Sequence, residues 1–208
     1  MKQLEMLYEG KAKQVFRTDD PDKIIIHYKD AATAFNNVKK ATIENKGVLN
    51  NAISTLIFKE LQKAGVKTHY IETLNERDQL CRRVEIIPLE VIVRNTIAGS
   101  MAQRLGIEEG TQPGNVIYDI CYKKDDLGDP LITDHHTLAL GAATYVALDA
   151  TYKMPPKINE VHQGLVADMN TKLAAFTIEF VSTSDGEIVL SAGVSLNTRR
   201  VSASPPPV

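Results

Sequence analysis

Cysteine is scarce. The chain of 208 residues has two, Cys81 and Cys121, and their separation matches no metal-binding spacing. Two unclustered thiols fit a reducing compartment. No apolar run reaches the length of a membrane-spanning helix, which argues against a membrane. The opening stretch MKQLEMLYEG lacks the apolar core of a signal peptide, so the chain reads as cytoplasmic. Charge of one sign is missing too. Lys and Arg number 24 against 26 Asp and Glu, the net charge is -2 and the pI about 6.2. That balance gives no footprint of a nucleic-acid binder. Internal repeats are absent. What is present suits a packed protein: 43% of residues are hydrophobic and 24% charged. The length allows one large domain or two small lobes around a shared cleft.

The first third reads as strands followed by a helix. MLYEG, KQVFRT and KIIIHYKD are short and apolar-rich, and the turn signal DDPD at 19–22 separates the last two. They predict an antiparallel meander. Val48, Ile53, Leu56, Ile57 and Leu61 then recur at helical spacing, with Asn45 as N-cap and Gly65 as C-cap. VKTHYIETL returns to strand. RRVEIIPLEVIVRN reads as a connector into a new strand around Pro88, GSMAQRLG as a short helix capped by Ser100, and NVIYDICYKKDD as a further strand. Helical segments broken by MPPK at 154–157 precede a closing hairpin, AAFTIEF and GEIVLSAGV around TSDG. The tail VSASPPPV is expected to be extended or disordered. Strands first and mixed elements after predict an α+β fold in two lobes joined near 80–88.

Several residue groups could carry chemistry. In GKAK, a strand would set Lys11 and Lys13 on one face, with Gly10 permitting a close approach or a turn. That is a phosphate clamp or a solvated strand edge. Arg94 ends an apolar run, and Gly99-Ser100 opens a helix whose first N–H groups point outward, which is an anion site or a plain cap beside an exposed Arg. KKDDLGDP, with Lys123 and Asp129, is a pocket edge or a charged surface loop. Glu179 on its strand could hold Mg²⁺ or face solvent. His135 and His136 suggest metal, but adjacent side chains point apart and no third ligand is evident.

LYEGKAKQVF, KDAATAFN, KGVLNN, VEIIPLEVIVRNTIAGS, RLGIEEG and DDLGDPLI, in this order, resemble the SAICAR synthetase (phosphoribosylaminoimidazole-succinocarboxamide synthase) family of purine biosynthesis. The match is close from residue 4 to about 145. The resemblance implies a two-lobed α+β fold related to ATP-grasp enzymes and protein kinases. It places an N-terminal antiparallel β lobe with one helix, the nucleotide lid, at 1–81. The C-terminal lobe, on the substrate and metal side, takes 82–200, and 201–208 is tail. The implied activity is an ATP-dependent carbon–nitrogen ligase using ATP and Mg²⁺. It joins carboxyaminoimidazole ribonucleotide to L-aspartate through an acyl phosphate, and a homodimer is the common assembly. Lys11, Lys123 and Asp129 are implied as catalytic, Lys11, Lys13 and Glu179 as ATP-binding, and Arg94, Ser100 and Arg200 as substrate-binding. Glu179 is the implied metal ligand.

Departures follow residue 150. The family pattern Asp-Phe-Lys-Leu-Glu-Phe-Gly meets AFTIEFV here, so Ala175 and Thr177 stand where an aspartate and a lysine are expected. The family pattern Leu-Ala-Asp-Glu-Ile-Ser-Pro-Asp-Thr-Cys-Arg meets LSAGVSLNTRR. Ala192 therefore replaces a metal-ligating aspartate, and Gly193 and Asn197 replace two further acids. The chain stops before the family's C-terminal helices. Neutral residues at these positions raise an alternative reading: a catalytically impaired relative that binds nucleotide or a partner.

Overall fold

The computed structural model describes residues 1–34, 39–192 and 199–203, with the side chains of 33, 34, 39, 40, 192, 199, 200, 202 and 203 left aside. The meander is present as β1 (Gln3–Glu9), β2 (Lys13–Thr18) and β3 (Lys23–Tyr28), all antiparallel. A small hairpin follows, β4 (Ala31–Ala34) with β5 (Lys39–Thr42), which sequence pattern did not reveal. Next come α1 (Lys46–Lys63), β6 (Tyr70–Thr73) and β7 (Asp78–Arg82). The first sheet has the order β1-β2-β3-β7-β6.

The second half holds β8 (Val84–Arg94), α2 (Ser100–Leu105), β9 (Ile117–Tyr122) and α3 (Asp134–Ala139). Then follow α4 (Tyr145–Lys153), α5 (Pro155–Ala167), β10 (Thr171–Thr183), β11 (Ile188–Ala192) and β12 (Arg199–Ala203). Pro155 and Pro156 open α5, where a missing N–H is harmless. The second sheet runs β11-β10-β8-β9, with β12 also on β10. The fold is α+β, as expected.

The main core lies between the second sheet and the helices. Leu89, Val91, Val93, Phe176, Ile178 and Phe180 pack with Phe58 and Leu61 of α1 and Ile158 of α5. Full burial of such side chains contributes roughly 1.5–3 kcal/mol each. The sheets are tied together beside this core. His69 N–H donates to Leu190 O at 3.0 Å, and Leu190 N–H donates to Lys67 O at 3.0 Å.

Some expectations change in the structure. Pro88 does not divide a connector from a strand, because β8 is continuous through it. The β8–β10 ladder shifts register between Glu179 and Val181, next to where Pro88 lacks a donor. β10 is more than half a hairpin: it pairs with β8, β11 and β12. Val201–Ala203, expected in the tail, belong to β12. In α1, Ile57 and Leu61 are buried, but Leu56 is exposed. Asn50, Asn51 and Ser54 are buried instead, toward the first sheet, where Gln79 Nε2 donates to Asn51 O. Asn45 is the N-cap residue, but it is left-handed (φ 63) and its side chain makes no cap bond. Asp30 takes that task from a distance, accepting from Gly47 N–H at 2.8 Å.

Candidate functional site

Cross-strand partners in an antiparallel ladder share a face. The pairings of the second sheet therefore define rows on the face opposite the core. One row reads Cys121, Glu90, Glu179, Ala192 across β9, β8, β10 and β11. The next reads Asp119, Ile92, Thr177. The third reads Ile117, Arg94, Ala175, Arg200, the last on β12. Arg94, Glu179 and Arg200, which the sequence singled out, thus sit in register on one sheet, as do the departures Ala175, Thr177 and Ala192. For Ala192 and Arg200 the register alone is described. Gly193 and Asn197 lie outside the described residues.

The carboxylate row is electrostatically crowded. Lys123 Nζ lies 2.5 Å from Glu179 Oε1. Burial raises the Glu90 pKa from its ordinary value, and the charges of Glu179, Asp129 and Asp125 push it further in that direction, against Lys123. Asp129 has a second task. Its side chain accepts from Lys124 N–H at 2.8 Å, and its own φ is 49, so it closes the 123–129 loop. The donors gathered here are all carboxylate oxygens, hard ligands of the kind Mg²⁺ takes. Among the described residues no group of three converges as a ready cage.

Lys11 and Lys13 do not share a strand face. Lys11 sits in the turn between β1 and β2, and Lys13 begins β2. Lys11 Nζ reaches Asp125 at 2.9 Å, and Lys13 Nζ stands 5.0 Å over the Tyr28 ring. Gly10 is not among the positive-φ glycines. A Cβ there would come within 3.2 Å of the Tyr8 ring, so its absence serves a close approach. This turn borders an open cleft of about 680 Å³, lined by Gly10, Lys11, Lys29, Ala32, Thr42 and Asp125.

Arg94 is buried, and its Nε donates to Asp119 Oδ2 at 2.7 Å. The other Asp119 oxygen lies 3.5 Å from Arg104 Nη2. Ser100 is exposed and is the first residue of α2, with Gly99 as N-cap, so it is not the cap that was expected. α2 has six residues, too few for a strong dipole, and Gly99 N–H donates to Glu109 Oε1 at 3.1 Å. An anion site here rests on arginine rather than on the helix. His136 is a capping residue for α3, bonded to Thr133, and His135 is exposed; among the described residues neither joins a group of three possible metal ligands.

Glu90 and Asp119 were not foreseen. Their signal was alternation: each is an acid at an in-register position within an apolar strand, PLEVIVR and IYDICY.

The family model for SAICAR synthetase matches residues 6–204. The chain belongs to the SAICAR synthetase family. A Dichelobacter nodosus protein named phosphoribosylaminoimidazole-succinocarboxamide synthase is 56% identical over 201 residues, 97% of this chain and 84% of that protein. One of the same name from Clostridium beijerinckii is 52% identical over 96% of this chain and 85% of its own length. Among solved structures, a SAICAR synthetase in complex with ADP superposes with a TM-score of 0.90 at 37% identity, covering 96% of this chain and 84% of that one. The Ehrlichia chaffeensis synthase gives 0.89 at 39%, covering 95% and 84%.

Proposed function

We propose that this chain is the ATP-dependent ligase that joins carboxyaminoimidazole ribonucleotide to L-aspartate. One observation carries the reading: the strand register that sets Arg94 in one row and the Lys123–Glu179 pair two rows away on the same sheet face. Arg94 and Ser100 serve the ribonucleotide phosphate, with Arg200 beside them in register. Lys11 and Lys13 serve the ATP phosphates, and the relative solved with ADP supports nucleotide use. The two sheets act as two lobes, 1–81 and 82–200. The assembly is a cytoplasmic homodimer.

The chemistry requires charge control above all. The imidazole carboxylate attacks the γ-phosphorus and ADP leaves, giving an acyl phosphate. The aspartate amine then attacks the acyl carbon, loses a proton and expels phosphate. Lys11, Lys13 and Lys123 offset the negative charge of the groups brought together. Arg94 holds the ribonucleotide against the reacting partner, which converts a collision into a positioned encounter. Glu179, with Glu90 beside it, is where Mg²⁺ would be held. The Glu90 pKa, raised first by burial and then by neighbouring carboxylates, fits a place that would receive a cation. When bound, Mg²⁺ neutralises phosphate charge.

The test is ADP release by the purified chain with ATP, Mg²⁺, ribonucleotide and L-aspartate. Release should require both the ribonucleotide and aspartate. Folded protein that binds no nucleotide at millimolar concentration would end the proposal. A second reading is a catalytically impaired relative. It is favoured by Ala175 and Thr177, which bring no charge to the rows bearing Arg94 and Asp119. ADP and ribonucleotide binding without turnover is its signature.

A further inference from the structure

We infer that Asp119 is a positioning residue for the ribonucleotide phosphate, acting through Arg94 and Arg104. The inference rests on the proposed assignment of Arg94 to that phosphate. A guanidinium as buried as Arg94, with 8% of its side chain exposed, needs an anionic partner to stay folded inward. Asp119 supplies it through one oxygen, to Nε, at 2.7 Å. That is one of five donors. Among the described residues no other side-chain hydrogen bond of Arg94 is formed, which leaves its Nη groups available to a ligand.

The second oxygen of Asp119 is turned to Arg104, 3.5 Å away and more exposed. One carboxylate thus stands between two guanidiniums from different elements, β8 and α2. Two positive charges against one negative leave a net charge of +1 for an incoming anion. A phosphate dianion suits this arrangement, because arginine presents paired N–H groups that match its oxygens. Asp119 never touches the phosphate in this scheme. It fixes the rotamer of Arg94 and draws Arg104 toward the same point.

The experiment compares the full chain with Asp119→Asn, Asp119→Glu and Arg94→Ala. Asp119→Asn keeps an acceptor for Nε but removes the charge, so it stays close to the native fold. Three probes are titrated: carboxyaminoimidazole ribonucleotide, the ribonucleoside lacking the phosphate, and ADP. Arg94→Ala should weaken the ribonucleotide by roughly 10- to 100-fold. Asp119→Asn should weaken it by about 10-fold while the ribonucleoside and ADP stay within about twofold. Its KM for ribonucleotide should rise with kcat nearly held, and Asp119→Glu should recover part of the loss. Unchanged ribonucleotide affinity in Asp119→Asn, with Arg94→Ala impaired, overturns the role of Asp119 and leaves the phosphate site standing. Equal loss for all three probes overturns it as well, because the role is then structural. Unchanged affinity in Arg94→Ala removes the assignment on which the inference rests.

Discussion

Glu90 and Glu179 are direct cross-strand partners, two carboxylates side by side on one sheet face, with Lys123 gripping only the second. Like charges directly opposite are destabilising. Burial and the Glu179 charge together raise the Glu90 pKa. A carboxyl with a raised folded pKa binds its proton more tightly folded than unfolded. Its contribution is therefore fully present below the unfolded pKa and lost as pH rises through the folded one. Glu90→Gln removes that loss. The variant should be more stable than the parent at pH 7 and little different at pH 4, as read from urea midpoints. A constant difference across this range would contradict the assigned cause.

His69 is expected to make the fold acid-sensitive. Burial first, and the Lys13 charge second, lower its pKa from 6.5 to about 3, so it stays neutral in the folded protein. Between those values the unfolded chain binds more protons. Stability is full above pH 6.5 and falls as pH drops, by at most about 1.4 kcal/mol per unit from this one group. The ring is buried edge-on to Phe58. His69→Phe should flatten the urea midpoint between pH 7 and 5, after correction for carboxylates that titrate lower. An equally steep dependence in the variant would rule His69 out as its source.

Gly47 fixes how α1 meets the first sheet. A Cβ at this position would lie 2.4 Å from the Tyr28 carbonyl oxygen and 2.7 Å from Arg77 Nη1. Backbone cannot yield as a side chain can. The same turn carries the bidentate Arg77–Asp30 pair and the Asp30 bond to Gly47 N–H. Gly47→Ala should cost about 1–3 kcal/mol, the usual range for overpacking. It should also weaken nucleotide binding, because Tyr28 underlies Lys13. Chemical denaturation and calorimetry with ADP check both effects. A variant as stable as the parent would mean that α1 shifts freely.

The sequence made some of this legible and hid the rest. Strand order in the meander followed from apolar runs between turns, which are local signals. The rows on the second sheet were hidden, because register depends on pairing between strands 80 or more residues apart. Glu179 alone looked like a surface acid, and only its register with Glu90 gives it a function to discuss. Lys11 and Lys13 were misjudged for a related reason. Strand period was carried across Gly10 to set the two lysines on one face, although a turn at that glycine was one of the readings open, and the turn is what forms. Asn50, Asn51 and Ser54 are polar, and their burial depends on Gln79 and Tyr28 arriving from another part of the chain.

The register also says what substitution should restore. Ala192 stands opposite Glu179, which stands opposite Glu90, so an aspartate at 192 would complete a row of three carboxylates on adjacent strands. Mg²⁺ takes oxygen ligands, and nucleotide sites commonly use one or two carboxylates with the phosphates. Thr177 lies one row over, half-buried, between Ala175 and Glu179 on the same face. A lysine there would add a positive charge where, under the proposed function, the substrates' negative charges meet. One such electrostatic contact is typically worth about two to three orders of magnitude in rate. Contacts that strengthen in the transition state raise kcat rather than affinity. The double variant Thr177→Lys, Ala192→Asp should therefore gain at least about 10-fold in kcat, with ADP affinity changed much less. Ala192→Asp alone should tighten Mn²⁺ binding in the presence of ADP, read by water proton relaxation. If the parent chain turns over as fast as the double variant, the charges missing from these rows are not what limits it, and the impaired-relative reading falls.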